Sequence, residues 1–246
     1  MAGGASPASP PRCLLLGSGE FEPWAEAAER AALEGAGGNG SVAVLATASA
    51  PEGETVYQGW IDKGLAHYQA IGLTALAVDV RGRDDAERPQ LAGQVAGASL
   101  IFFSGGNPEY LARTLEGTRL WRAVQGALAG GATFGGCSAG AMVAGAGRSF
   151  GPARGRFHFS GGLGLYPSDI YGVHWDSRFM RLLKPAVRNT VADGLRLVGI
   201  AEKTAILNTG QGWLVFGRGA VEVGTGRGRL LYHAGEVFPD GAGEIG

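Results

Sequence analysis

The run Phe134-Gly135-Gly136-Cys137-Ser138-Ala139-Gly140-Ala141-Met142-Val143-Ala144-Gly145 decides how this chain is read. Its centre, Gly136-Cys137-Ser138-Ala139-Gly140, fits G-x-S-x-G, the pattern of a serine held on a sharp turn between a strand and a helix. A residue at such a tip has a strained backbone, and neighbours without a β-carbon let the strand run against the following helix. The flanks supply that context: Ala132-Thr133-Phe134 reads as a short buried strand, and Ala139 to Ala144 as the first turns of a buried helix. A small-residue turn that only packs a helix on a strand would look the same, so the rest of the chain must supply a partner for Ser138.

Upstream, apolar runs alternate with helical patterns. Cys13 to Leu16, Val42 to Thr47, Leu73 to Val80 and Ser99 to Phe103 read as strands. Between them, Pro23 to Leu33 reads as one helix; Val56, Trp60, Ile61, Leu65 and Tyr68 recur at the spacing of a second; and Asp84-Asp85 can cap a third that carries Leu91 and Val95. Thr118 caps a helix with Leu120, Trp121, Val124 and Leu128 on one face. This rhythm predicts an α/β fold: a mostly parallel central sheet with helices on both faces and ligands beyond the C-terminal strand ends. At one such end, Ser104-Gly105-Gly106-Asn107-Pro108 can turn backbone N–H groups towards a cleft. At another, Gly17-Ser18-Gly19-Glu20-Phe21-Glu22 fails as a dinucleotide loop, because Glu22 stands where the third glycine is needed.

Downstream of Gly145, arginines 148, 154 and 156 among glycines predict an exposed, mobile loop through Gly162. Tyr171 to Trp175 reads as a strand and Arg178 to Lys184 as a short helix. Leu195 to Ile200, Thr204 to Leu207, Trp213 to Phe216, Ala220 to Val223 and Leu230 to Tyr232 read as hairpin-like strands that extend the sheet. No repeat or linker divides the chain, so residues 12–246 are expected to form a single domain behind a disordered tail, 1–11.

A 246-residue chain with 45% hydrophobic residues can build a substantial core. Its net charge of −1 offers no field for nucleic acid or a membrane surface. Two cysteines, one beside Ser138, make no disulfide framework and point to a reducing cytoplasm. The histidines, cysteines and acidic residues lack the spacing of zinc ligands, and no metal or cofactor is expected. Of the four histidines, His67, His158 and His233 fall in a helix, a loop and the C-terminal region. His174 ends an expected strand downstream of the serine, where such sheets present chemistry.

Four stretches carry a family likeness: Ile101 to Asn107, Gly136 to Ala141, Val173-His174-Trp175 with Arg178, and Gly199 to Ala205. Together, and from about Leu14 to Val223, the chain resembles the cyanophycinase and aspartyl dipeptidase (peptidase E) group of serine peptidases. Those are built on a flavodoxin-like, class I glutamine amidotransferase-like sheet. The resemblance implies Ser138 as nucleophile, His174 as base, Glu202 as acid, and Gly106 and Ala139 as oxyanion donors. Asn107 and Arg178 are its candidate substrate-binding residues, Arg178 because its planar fork suits a carboxylate. The implied activity is cleavage of peptide or isopeptide bonds in small or acidic, Asp-containing peptides through an acyl-enzyme, with a homodimer as the candidate assembly.

This chain also departs from the pattern. Dipeptidase relatives place the acid soon after the nucleophile, whereas here no Asp or Glu falls between Ser138 and Asp169. Asp176, two residues past the histidine as in glutamine amidotransferases, is the second candidate for the acid. Cyanophycinase-like members have an acidic residue two positions before the histidine, a glutamine after the Gly-Gly pair and several arginines after the histidine. Here Gly172 and Pro108 stand in the first two places, and Met180 breaks the arginine pattern. Three rival readings remain open at this point: an α/β-hydrolase-type esterase with Asp169 as acid, a Cys137 nucleophile, and a catalytically silent domain that binds a small molecule or a partner protein.

Overall fold

The computed structural model describes residues 10–153, 156–192, 194–225 and 228–241. The chain begins β1 (Cys13–Leu16), α1 (Glu26–Leu33), β2 (Val42–Leu45), α2 (Glu54–Ala70) and β3 (Ala75–Ala77). It continues α3 (Arg83–Ala86), α4 (Pro89–Ala96), β4 (Leu100–Phe103), α5 (Pro108–Leu115), α6 (Arg119–Ala129), β5 (Thr133–Cys137) and α7 (Ala139–Met142). Then come β6 (Gly145–Ala153), β7 (Arg156–Gly161), β8 (Tyr166–Gly172), α8 (Arg178–Thr190), β9 (Arg196–Ile200) and β10 (Thr204–Asn208). The last strands are β11 (Trp213–Gly217), β12 (Val221–Thr225), β13 (Gly228–Tyr232) and β14 (Val237–Phe238).

The expected α/β fold is present. An eight-stranded sheet runs β14-β11-β10-β1-β5-β4-β2-β3; β1, β5, β4, β2 and β3 pair in parallel, while β10, β11 and β14 join one edge antiparallel. The strands CLLL, VAVL and LIFF are buried along their whole length, as a sheet covered on both faces requires. Alternate residues divide between two cores. Leu14, Leu16, Val42, Val44, Leu100 and Phe102 pack under α1 and α2, and Leu15, Ala43, Leu45, Ile101 and Phe103 pack towards α4, α5 and α6.

The C-terminal strands correct the expectation of one extended sheet. Only β10, β11 and β14 join the first sheet, while β9, β12 and β13 pair with β8, β6 and β7 in a six-stranded second sheet. The switch takes three residues, Ala201-Glu202-Lys203, with Lys203 at φ 51°. That left-handed residue turns the chain out of β9 and into β10. Aromatic contacts join the sheets, with the rings of Tyr166 and Tyr171 4.8 and 5.9 Å from that of Trp213.

The expected loop at 148–162 is corrected too: its backbone forms β6 and β7, paired antiparallel with Phe150 opposite Phe159. Their glycines and arginines hide the alternation that marks a strand. The side chains of residues 148–159, and most of the tail at 1–11, lie outside the described residues. The expected strand at 171–175 ends earlier, at Gly172, and the helix begun at Arg178 runs on through Pro185 to Thr190.

Candidate active site

Ser138 sits between β5 and α7 with φ 49° and ψ −109°, a conformation that costs a non-glycine residue of order 1–3 kcal/mol. Local packing over-determines it. A β-carbon on Gly136 would lie 2.4 Å from Gly140 C and O, and one on Gly140 2.2 Å from Phe103 O, so both glycines of the motif are required for α7 to close on the sheet. The Ser138 N–H donates to Leu16 O at 3.0 Å, tying the turn to the end of β1.

His174 lies two residues past β8, also left-handed at φ 49°. Its backbone N–H donates to Gly17 O at 3.3 Å and that of Trp175 to Ile200 O at 3.1 Å, so the ends of β1 and β9 position the ring. His174 Nε2 is 3.1 Å from Ser138 Oγ, and Nδ1 is 3.2 Å from Glu202 Oε1. With Nδ1 protonated towards the carboxylate, Nε2 is free to accept the serine proton. The imidazole and carboxylate are 40% and 48% exposed, so water screens their attraction. Asp176, the other candidate acid, accepts the Glu202 backbone N–H at 2.7 Å. The two acids therefore occupy successive places: Glu202 on the imidazole, Asp176 behind Glu202.

The turn after β4 lies beside Ser138. Gly106 takes φ 138°, and a β-carbon there would meet Ala48 C and O at 2.4 Å. Among the described residues neither Gly106 N–H nor Ala139 N–H has an acceptor, the second because it is the first N–H of a helix. Asn107 caps α5, its Oδ1 accepting from Tyr110 N at 2.9 Å while its own N–H donates to Ala48 O at 2.8 Å. Arg178 opens α8, is exposed, and has no hydrogen bond or ion pair among the described residues.

Glu20 was missed as a site residue. Buried just past β1, its Oε1 accepts from Gly105 N–H and its Oε2 from Cys137 Sγ, each at 2.9 Å. One carboxylate thus bridges the Gly105-Gly106 turn and the serine elbow. A β-carbon on Gly105 would lie 3.1 Å from Glu20 Oε1 and 3.4 Å from Ser138 Cβ. The usable signal was its place at the C-terminal end of a parallel strand. Cys137 is fully buried, and burial, the Glu20 charge and the Glu20 hydrogen bond hold its thiol well above the ordinary range. That environment disfavours the nucleophilic thiolate.

Asp169 is not near this chemistry. It forms a bidentate pair with Arg196, at 2.8 and 2.7 Å, and accepts from Tyr171 Oη at 3.1 Å, all buried between β8 and β9. His67 is buried on α2, its Nε2 2.6 Å from Glu29 Oε2. Among the described residues no three His, Cys, Asp or Glu side chains gather to hold a metal ion, and no helix is long and apolar enough to cross a membrane.

Residues 13–215 match the model of peptidase family S51. Cyanophycinases from Trichormus variabilis and a Nostoc species are each 31% identical over 167 residues, covering 63% of this chain. The match takes in 55% of their length, so the chain spans about half the length of these curated relatives. A crystal structure of a peptidase from an acI-B1 actinobacterium superposes with a TM-score of 0.84 at 28% identity, over 94% of this chain and 97% of that one. A putative peptidase E protein from Listeria monocytogenes EGD-e shares the fold, with a TM-score of 0.61 at 16% identity over 85% and 99% of the two chains. The chain belongs to peptidase family S51.

Proposed function

We propose that the protein is a serine hydrolase that cleaves peptide or isopeptide bonds through an acyl-enzyme on Ser138. The carrying observation is the continuous relay from Ser138 Oγ to His174 Nε2 (3.1 Å) and from His174 Nδ1 to Glu202 Oε1 (3.2 Å), beside the unbonded N–H of Gly106. In this mechanism His174 takes the serine proton as Oγ attacks the carbonyl carbon. The N–H groups of Gly106 and Ala139 receive the oxyanion, and His174 returns the proton to the leaving amine. Water, activated by His174, then hydrolyses the acyl-enzyme. Glu202 holds the imidazole and balances its charge, and Asp176 holds Glu202.

The substrates in this reading are small or acidic, Asp-containing peptides, with Arg178 set to pair with a substrate carboxylate. Asn107 shapes the oxyanion turn through its cap, a more restricted task than substrate binding. Residues 12–246 act as one domain. Both cysteines are free and buried, which suits a reducing cytoplasm. The homodimer is kept as a proposal, tested by sedimentation.

Fluorophosphonate labelling of wild type, Ser138→Ala, Cys137→Ala and His174→Ala tests the chemistry. Label is expected on wild type and Cys137→Ala, and lost in Ser138→Ala. Label surviving Ser138→Ala overturns the assignment, and none on wild type favours a silent binding domain. Hydrolysis of Asp-X dipeptides, compared with β-Asp-Arg, then tests the substrate class.

A further inference from the structure

A cavity of about 380 Å³ between the end of β8 and α8 has His174 in its lining. It lies within the size range of small-molecule sites, ~300–1,000 Å³. Besides His174 its walls include Met142, Val173, Phe179, Met180 and Leu183, and among the described residues no Asp, Glu, Lys or Arg lines it. The other polar groups of the lining are occupied: Ser177 Oγ accepts from Met180 N at 3.2 Å, and Tyr171 Oη donates to Asp169. Phe179 is 70% exposed, so the cavity is reached from solvent past an apolar edge.

Gly172 and Met180 both line the cavity. A side chain at position 172 would run into the Trp175 ring at 2.6 Å, so no acidic group can stand there. A guanidinium or carboxylate entering this space would lose its hydration and gain no partner among the described residues.

We infer that this cavity is a subsite for an apolar side chain, of Leu, Met or Phe size, on the substrate residue whose amine leaves. The inference rests on the His174 reading above. The leaving amine takes its proton from His174, so the residue bearing that amine is held next to His174, and His174 is part of the cavity lining. Arg178 stands beside Phe179 at the start of α8 without an anionic partner among the described residues. A terminal carboxylate on the same substrate residue meets it there. The substrate class is therefore a short peptide ending in a free, apolar residue, and an arginine in that place is disfavoured.

The test separates the cavity from the nucleophile. Calorimetry on Ser138→Ala measures binding of two peptide series, Asp-X and Ala-X, with X as Leu, Gly or Arg, while fluorophosphonate labelling is read on wild type. Leu is expected to bind about 10- to 100-fold more tightly than Gly in at least one series, with Arg weakest. Adding Met180→Glu places a carboxylate in the cavity and should raise Arg relative to Leu by about 10-fold or more. Met180 is only half-buried, so the change is tolerated by the fold, and a melting curve checks this. Arg bound as tightly as Leu, Leu no tighter than Gly, no binding in either series, or a folded Met180→Glu protein with an unchanged order would each overturn the subsite. Labelling with a flat peptide series rejects the cavity alone. Discrimination without labelling rejects the nucleophile alone.

Discussion

Replacing Glu202 with Gln measures how much of the reaction passes through a carboxylate that water can reach. At 3.2 Å from His174 Nδ1, its Coulomb attraction for an imidazolium spans about 1 kcal/mol in bulk water to about 5 kcal/mol at an effective dielectric of 20. With the two side chains 40% and 48% exposed, screening places the working value in the lower half of that range, and water can replace part of the lost hydrogen bond. The expected loss in kcat/KM for Glu202→Gln is therefore about 10- to 100-fold, well short of the ~10⁴-fold cost of disabling a buried triad acid. Asp176→Asn keeps an oxygen for the Glu202 N–H and should lose no more than about threefold, whereas Asp176→Ala removes the 2.7 Å bond and should fall between the two. The second-order rate of fluorophosphonate labelling serves as the assay, since it needs no knowledge of the natural substrate, with kcat/KM on the best dipeptide beside it. A Glu202→Gln enzyme within twofold of wild type, alongside an Asp176→Asn enzyme crippled 100-fold, would reassign the acid. A 10⁴-fold loss in Glu202→Gln would refute the screening argument.

Glu20→Gln leaves one acceptor oxygen for two donors, Gly105 N–H and Cys137 Sγ–H. The expected result is a roughly 10-fold fall in kcat with little change in KM, partly rescued by Cys137→Ala, and a change confined to KM would contradict it. In Gly106→Ala the new β-carbon collides with Ala48, so the N–H proposed as oxyanion donor is displaced. Labelling should slow by about 10²–10³-fold in a protein that keeps its circular dichroism; an unchanged rate removes Gly106 from the oxyanion site. Glu222 offers a pH test. Burial raises its carboxyl pKa, but hydrogen bonds from Trp175 and Arg188 and the charges of Arg188 and Lys184 outweigh this and leave it below the ordinary value. Its stabilisation is therefore present above the unfolded pKa near 4.3 and is lost as pH falls through the lower folded value. Glu222→Gln should melt earlier than wild type at pH 7, with the gap closing below about pH 4 in melts from pH 3 to 8; a gap that widens in acid refutes it.

The parallel sheet is legible in the order of residues alone, because fully apolar strands such as Leu100–Phe103, separated by helical patterns, can be buried only between two helical layers. The elbow is legible as well, because Gly136 must leave room for Gly140 within one strand-turn-helix unit, although the need for glycine at 140 itself comes from Phe103 at the end of β4. Other features depend on groups distant in the chain. The division of β9 and β10 between two sheets turns on a single left-handed residue, Lys203, and on the buried pair of Asp169 with Arg196. Neither leaves a periodic mark in sequence. The roles of Glu202 and Asp176 separate only when β9 brings a backbone N–H to Asp176 and a carboxylate to His174. Glu20 lies 117 residues from Cys137 and 85 from Gly105, and a carboxylate's partners at that range are set by the packing of β1 between β10 and β5. No local pattern encodes that packing.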